Sequence, residues 1–398
     1  MNRYAIGIDV GGTKIAAGIV DQDGHVVSRY ETRAHSEREP EHVISAIEEA
    51  GRVLIGRGLA STGAFAGVGI GFAGTVDLRT GSVLVSSNLP AWDHVPLRDI
   101  VAGRLGMPAA FDNDAHMCAV GEHRFGVGRG VRNMAYVCFS TGFGLGTIVD
   151  DRLVTGHSGS AGELSHVVIE PRGALCTCGK RGCLMTYASA IGISRMINER
   201  IAAGEETVLR QMLPADGRRI GGEQIAVAAS QGDRMAREVL QKAGYYFGMG
   251  MAMVVQLFNP ELVVIGGGLT RVGPLLMDAA YESMCENVQP ELCDTVRLAP
   301  SSLGDDIGVI GAAAEKGYQA PRNGLDDRHL HHVEDLVHLT QQAELRVRIE
   351  SSHLRHAQRH LRHRVPEEDR GLQPFARGQA DMLTALRVAN RDAARLQQ

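Results

Sequence analysis

The sequence predicts an α/β protein. Three observations carry this. Hydrophobic residues make up 44% and glycine accounts for 49 of 398 positions, the usage of a fold rich in tight turns. Strand-like apolar runs ending at Asp9, Phe139 and Ile265 each pass directly into a glycine turn. Between the first two of these, apolar residues switch between strand and helix periods.

The length allows a large core and, at about 150 residues per domain, two domains with a remainder. Forty-one basic against 46 acidic residues leave a formal charge of −5, which argues against nucleic acid or an anionic membrane as the main partner. No apolar run reaches the roughly 18 residues of a membrane span. Tyr4 opens a strand with no charged and apolar leader before it, so a cytoplasmic location is expected.

Tyr4 to Asp9 reads as a buried strand, and Lys14 to Val20 as a second that closes a hairpin onto a third through Asp21–Gly24. Between the first two, Gly11 and Gly12 let backbone amides approach a phosphate, with Thr13 adding a hydroxyl and Asp9 positioned to order a hydrated magnesium. A plain hairpin turn explains the same residues. Val43, Ile44, Ile47, Val53 and Leu54 recur at helical spacing, and Gly67–Gly71 returns to strand. Asn88 to Trp92 reads as a ligand-facing loop or a capped surface turn. Phe111–Asp114 ends a strand where a helix begins, which puts Asp114 at the mouth of a sheet. Helix capping is the plain role for Asp112 or Asn113, but two carboxylates and an amide in three residues exceed what a cap requires.

Ser140–Gly146 follows the next strand as a second glycine turn, in which Thr141, Gly142 and Gly144 suit a second phosphate grip. Gly162-Glu163-Leu164-Ser165-His166 then precedes Cys176, Cys178 and Cys183. One His and three Cys spaced H-x9-C-x-C-x4-C can close a tetrahedral shell around a structural zinc; the alternative is three buried cysteines that happen to cluster. Seven Cys, an odd number, and no secretory leader predict reduced thiols. A helix is expected from Tyr187 to about Ala203, then a polar connection and a long helix from about Asp233 to Phe258. Its Gly244, Gly248 and Gly250 call for a close neighbour, most simply another helix. Leu262–Ile265 enters Gly266-Gly267-Gly268, where the missing side chains leave room for a flat adenine or ribose. From Leu325 on, eight of the 16 His and 12 Arg occur with no Lys. That end reads as a helix-prone or disordered appendage, with metal binding by its histidines or translation of a shifted reading frame as alternatives.

Taken in order, Asp9-x-Gly-Gly-Thr13-Lys14, Asn113-Asp114, Ser140-Thr-Gly-x-Gly-x-Gly146, Gly162-Glu163-x-x-His166, Cys-x-Cys-Gly-x-x-Gly-Cys and Ile265-Gly-Gly-Gly268 resemble the family of repressors, open reading frames and sugar kinases known as ROK, from about Tyr4 to Tyr318. The resemblance implies two actin-like, ribonuclease H-like α/β ATPase domains with a cleft between them: residues 1–117, then 118–306, with 307–322 returning to the first and 323–398 as a tail. It implies ATP, Mg2+ and structural zinc as cofactors, a hexose or amino-hexose as substrate, and a homodimer. It makes Asp114 the general base for phosphorylation of the sugar's 6-hydroxyl. Asn88, Asn113, Glu163 and His166 would hold the sugar, with His166 also on zinc. Asp9, Gly11, Gly12, Thr13, Lys14, Thr141, Gly142, Gly144 and Gly266–Gly268 would hold the nucleotide.

Two positions depart from the family pattern. Where the family's knuckle ends Gly-Cys-Leu-Glu, and that Glu accepts from the sugar near C1 and C2, this chain has Met185. A thioether is a poor acceptor, so the implied substrate is glucose or an amino-substituted glucose such as kanosamine. His116 stands where the family prefers a second Asn, and local packing is its expected role. Repression of sugar operons is the other class, but family repressors carry a helix-turn-helix before the first motif, and eight residues precede Asp9. A sugar sensor with weak or no kinase activity is the third reading; retention of Asp114 and both phosphate turns favours the enzyme.

Overall fold

In the computed structural model, residues 4–34, 39–57, 65–86, 89, 91–214 and 219–317 are described. The expectations for the tail, 323–398, lie outside them.

The first sheet grows from β1 (Tyr4–Val10) and β2 (Lys14–Val20), whose Ile6, Ile8, Val10, Ile15 and Ile19 are fully buried and therefore favour strand over turn. β3 (Val26–Arg33) alternates half-buried and exposed as an edge strand does. The helix α1 (Pro40–Gly56) follows with Pro at its first turn and buries Val43, Ile44, Ile47 and Leu54. β4 (Phe65–Phe72) returns to the sheet. A small antiparallel sheet comes next, formed by β5 (Thr75–Asp77), β6 (Ser82–Val85) and β7 (Asp93–Val95). Then α2 (Leu97–Leu105) ends on Gly106 in the left-handed conformation, β8 (Ala109–Asn113) completes the first sheet, and α3 (Asp114–Phe125) leaves its edge.

The second sheet contains β9 (Met134–Phe139), β10 (Phe143–Val149) and β11 (Arg152–Leu153). The zinc-like stretch follows. The expected helix at 187–203 is instead two helices, α4 (Met185–Ala188) and α5 (Ala190–Ala202). The break falls at Ser189, whose extended backbone lets its hydroxyl cap α5 at Gly192 N. The polar connection contains α6 (Leu209–Met212) and α7 (Gly222–Ser230). The long α8 (Arg234–Phe258) starts at an Asp233 cap. β12 (Leu262–Gly266), α9 (Pro274–Glu286), α10 (Pro290–Thr295), β13 (Arg297–Pro300) and α11 (Ile307–Gly317) finish the described chain.

The two large sheets share one plan. Their orders are β3-β2-β1-β4-β8 and β11-β10-β9-β12-β13. In each, the first three strands are antiparallel and the last two join in parallel. The parallel strands of each sheet, β1, β4 and β8 in one and β9 and β12 in the other, end in register. α11 packs back on β1, β4 and α3. Contact is so close that a Cβ at Gly7 would strike the Val309 carbonyl and one at Gly69 the Ala312 carbonyl, which explains the glycines within these strands.

Gly244 and Gly248 of α8 face α9, meeting Leu276 O and Ala280 O, as expected, whereas Gly250 meets the Leu184 side chain. Trp92, read as part of a ligand-facing loop, is 2% exposed and packs on Phe72 with ring centroids 4.7 Å apart; it belongs to the core of the first sheet. Not every thiol is free: Cys285 and Cys293 are joined as a disulfide, against the expectation of reduced cysteines.

Candidate active site

The turns that leave the two sheets line one cavity of about 630 Å³. Asp9 sits near the end of β1 and Asp114 begins α3 just past β8, and the ladders from β1 through β4 to β8 bring both to the carboxyl edge of the first sheet. Gly11, Gly12, Thr13 and Lys14 line the cavity beside Asp9. Lys14 Nζ lies 2.8 Å from Glu31, at the solvent side.

From the second sheet come Thr141, Gly142 and Gly144. Their glycines differ in purpose. Gly142 has open space where a Cβ would stand, whereas a Cβ at Gly144 would press on Ala115 of α3. Gly144 therefore lets β10 approach the helix that carries Asp114. Glu163, His166 and Met185 close the remaining wall.

Burial dominates the electrostatics. It pushes Asp114 up to about 7, and Asp9 adds to the rise while Ala115 N–H and His116 oppose it. Asp9 is pushed up to about 6 by burial, less the attraction of Lys14. Two carboxylates thus face one cavity and compete for charge, so they titrate as a pair. Cys138 also lines the cavity, but burial raises its thiol to about 12, which excludes a thiolate role.

Asn113 lines the cavity with both polar atoms engaged. Its Oδ1 accepts from Ala115 N at 2.8 Å as the cap of α3, and its Nδ2 donates to Gly74 O at 3.0 Å. Glu163 accepts from Thr75 Oγ1 at 3.0 Å. Thr75, itself on the cavity wall, is a residue that sequence reasoning missed; nothing in its local pattern marks it. Asn88 lies outside the described residues.

Gly266, Gly267 and Gly268 are not among the residues lining the cavity. A Cβ at Gly266 would meet the Tyr136 ring and one at Gly267, whose φ is +93°, the Phe139 backbone, while only Gly268 has open space around it. The packing of β12 on β9 therefore requires glycine at the first two positions, and Gly268 has open space beside it.

At the wall formed by His166 and Met185, His166, Cys176, Cys178 and Cys183 bring one nitrogen and three sulfurs within 4.8 Å of one another. Cys178 and Cys183 Sγ are 3.6 Å apart, and His166 Nδ1 is 3.6 Å from Cys176 Sγ. Bonds of about 2.3 Å in a tetrahedron put sulfurs about 3.8 Å apart, so the spacing fits a four-coordinate ion. Gly179 (φ 83°) and Gly182 (φ 75°) supply the left-handed turns of the knuckle, and a Cβ at Gly182 would strike Glu170 O.

The model of the ROK family matches residues 5–315. The chain belongs to the ROK family. It is 35% identical over 310 residues to a glucokinase of Thermotoga maritima, covering 78% of this chain and 96% of that one. A crystal structure of a ROK family glucokinase from Streptomyces griseus, in complex with glucose and AMPPNP, superimposes with a TM-score of 0.66 at 34% identity, over 78% of this chain and 98% of the other. A xylose repressor of Caldicellulosiruptor bescii is 32% identical over 248 residues, 62% of this chain and 61% of its own. The duplicated sheets are those of the actin-like ATPase fold that ROK sugar kinases share. Among the described residues, no helix is long and apolar enough to cross a membrane.

Proposed function

We propose that this chain transfers the γ-phosphoryl group of ATP to the 6-hydroxyl of a hexose, either glucose or an amino-substituted glucose such as kanosamine. Its ROK glucokinase relatives make the chain a sugar kinase. The observation that carries the reaction is Asp114, which lines one cavity together with Asp9, Glu163 and His166 and whose carboxyl is raised to about 7.

In this reading the sugar's O6 attacks the γ-phosphorus as Asp114 takes its proton, the bond to ADP breaks, and the products are a hexose 6-phosphate and ADP. Phosphoryl transfer depends mainly on positioning and on neutralising charge. Gly11, Gly12, Thr13 and Lys14 on one side, and Thr141 and Gly142 on the other, are the groups for the triphosphate. Asp9 and Asp114 bring two carboxylates to one cavity wall, with Asp9 adding to the rise of Asp114, a setting that fits a hard cation with oxygen ligands. Magnesium bound there would neutralise phosphate charge. By the same logic it would draw Asp114 down towards its ionised form, the one a base requires. Glu163 and His166 would hold sugar hydroxyls. With Nδ1 given to the thiolates, His166 keeps Nε2 for the sugar. The lobes are taken as residues 1–117 and 118–306, with the last helix belonging to the first.

A panel of hexoses and amino sugars, assayed for ADP release and for the position of the new phosphate, tests the proposal. Absence of turnover with every sugar, combined with tight sugar binding, would favour the sensor reading that the xylose-repressor kinship supports.

We assign zinc to the Cys3His cluster on the spacing of its donors. In Cys178→Ser, whose thiol is the exposed one, metal analysis should find the zinc content of the native protein lost. Sugar KM should rise by about tenfold or more through a loosened His166, with ATP KM within about twofold, since the phosphate turns share no ligand with the knuckle. Native protein free of zinc would end this assignment.

A further inference from the structure

His116 is fully buried, and each of its ring nitrogens faces an acceptor. Nδ1 lies 2.7 Å from Asp112 Oδ1, and Nε2 lies 3.0 Å from the Ala161 carbonyl. A carbonyl can only accept, so Nε2 carries a proton and donates it to Ala161. Burial alone would depress the ring's pKa, but the hydrogen bond and charge of Asp112, with the Ala161 carbonyl, hold it above the ordinary value. The ring does not line the cavity. It stands two residues beyond Asp114 in α3 and reaches the segment that leads directly into Glu163.

That segment is tied down elsewhere too. Ser158 O accepts from Leu78 N at 3.0 Å, Ser160 Oγ donates to Val76 O at 2.6 Å, and Glu163 itself accepts from Thr75 at 3.0 Å. At Gly162 the chain passes between the Leu145 carbonyl and the His116 ring, where a Cβ would strike the former and come 3.5 Å from the latter. These ties run from the β10–β11 side of the molecule to the β5–β6 hairpin and to α3.

We infer that His116 is a positioning residue: its Nε2–H to Ala161 O pins the Ser158–Glu163 strap to the helix bearing Asp114 and so fixes the distance between the sugar-holding carboxylate and the base. The inference rests on the proposed roles of Glu163 and Asp114. An Asn at this position is too short to span from α3 to Ala161. A Gln places an amide nitrogen near the former Nε2 and can remake the one bond that matters, although without the charge.

The test compares His116→Asn with His116→Gln in the full-length protein, measuring steady-state kinetics for sugar and ATP and calorimetric sugar binding. His116→Asn should raise sugar KM and Kd by about tenfold, the loss expected when a buried hydrogen bond is removed, and lower kcat by about tenfold through misplacement of the reacting groups. ATP KM should stay within about twofold. His116→Gln should recover most of the sugar affinity. In a Glu163→Gln background, His116→Asn should add little further to sugar KM, because its effect runs through Glu163.

Equal behaviour of Asn and Gln, full additivity with Glu163→Gln, or equal loss of sugar and ATP affinity would overturn the inference. If His116→Asn does not fold, Ser160→Ala takes its place: it removes the neighbouring tie and must raise sugar KM alone, and an unchanged sugar KM overturns the strap. A native protein that neither binds nor phosphorylates any sugar removes the proposed function first, and this inference with it. Normal native turnover with an indifferent His116→Asn removes only the inference.

Discussion

Asp114→Asn should fold, bind sugar and lose about 10²-fold or more in kcat, the scale on which a positioned general base contributes. The substitution keeps the size and the cavity-facing position of the side chain and removes only its capacity to take a proton. It should also stabilise the substrate-free protein. Burial raises Asp114 from 3.8 to about 7, so the folded state holds that proton more tightly than the unfolded chain does. Stability must then fall as pH rises between 3.8 and about 7, and the penalty is fully present only above that range.

The Asn side chain escapes the penalty. At pH 8 its Tm should exceed that of the native protein by a few degrees, reflecting on the order of 1–2 kcal/mol, and the difference should shrink towards nothing as the pH approaches 4. In the native enzyme, kcat/KM should fall with acid as the Asp9–Asp114 pair takes up protons near pH 6–7, and that limb should vanish from the residual activity of the variant. A mutant with near-native kcat would show that the base lies elsewhere; one that is less stable at pH 8 would show that the buried carboxylate is not the strained group inferred here.

The parts of this molecule that were legible in sequence are those written in local chemistry. Glycine turns after strands, an Asp at a strand-to-helix junction and closely spaced thiols all depend on neighbours a few residues away, so their order along the chain was sufficient. What the chain alone hid depends on long-range contact. Gly266 and Gly267 read as part of a nucleotide turn; that Tyr136 and Phe139 of the adjacent strand also leave no room for a side chain at either position shows only in three dimensions.

Trp92 lies among loop residues in sequence, yet packs into the core against Phe72, which in turn meets Phe111. Thr75 and His116 gain their partners across 88 and 45 residues, and no periodicity signals such a pair. The split between α4 and α5 was hidden for a different reason. Both halves have helix-compatible residues, and the break is made by one Ser189 hydroxyl choosing a backbone amide over solvent.

Met185→Glu should raise kcat/KM for glucose by about tenfold or more, with ATP KM nearly unchanged. Met185 is 5% exposed, lines the cavity, and packs at the start of α4 against Cys176, Cys183 and Ile191. The resemblance to ROK kinases implies a carboxylate at this position that accepts from hydroxyls near C1 and C2 of the sugar. A glucose hydroxyl buried against the thioether without an acceptor loses about 1–3 kcal/mol, or roughly 5- to 150-fold in affinity. Restoring the acceptor should recover much of that in the specificity constant, because a site that hydrogen-bonds a hydroxyl discriminates more sharply than one that merely encloses it. One force opposes the gain: a carboxylate at a position packed against Cys176, Cys183 and Ile191 incurs a desolvation cost, which sets about tenfold rather than a hundredfold as the expectation. The comparison uses native and mutant protein with glucose and 3-amino-3-deoxyglucose at one saturating ATP concentration. The native protein should favour the amino sugar, and the mutant should shift the ratio towards glucose. If native protein already phosphorylates glucose as well as the mutant does, the Met185 thioether does not meet that edge of the sugar, and the substrate has to be sought through Glu163 and His166 alone.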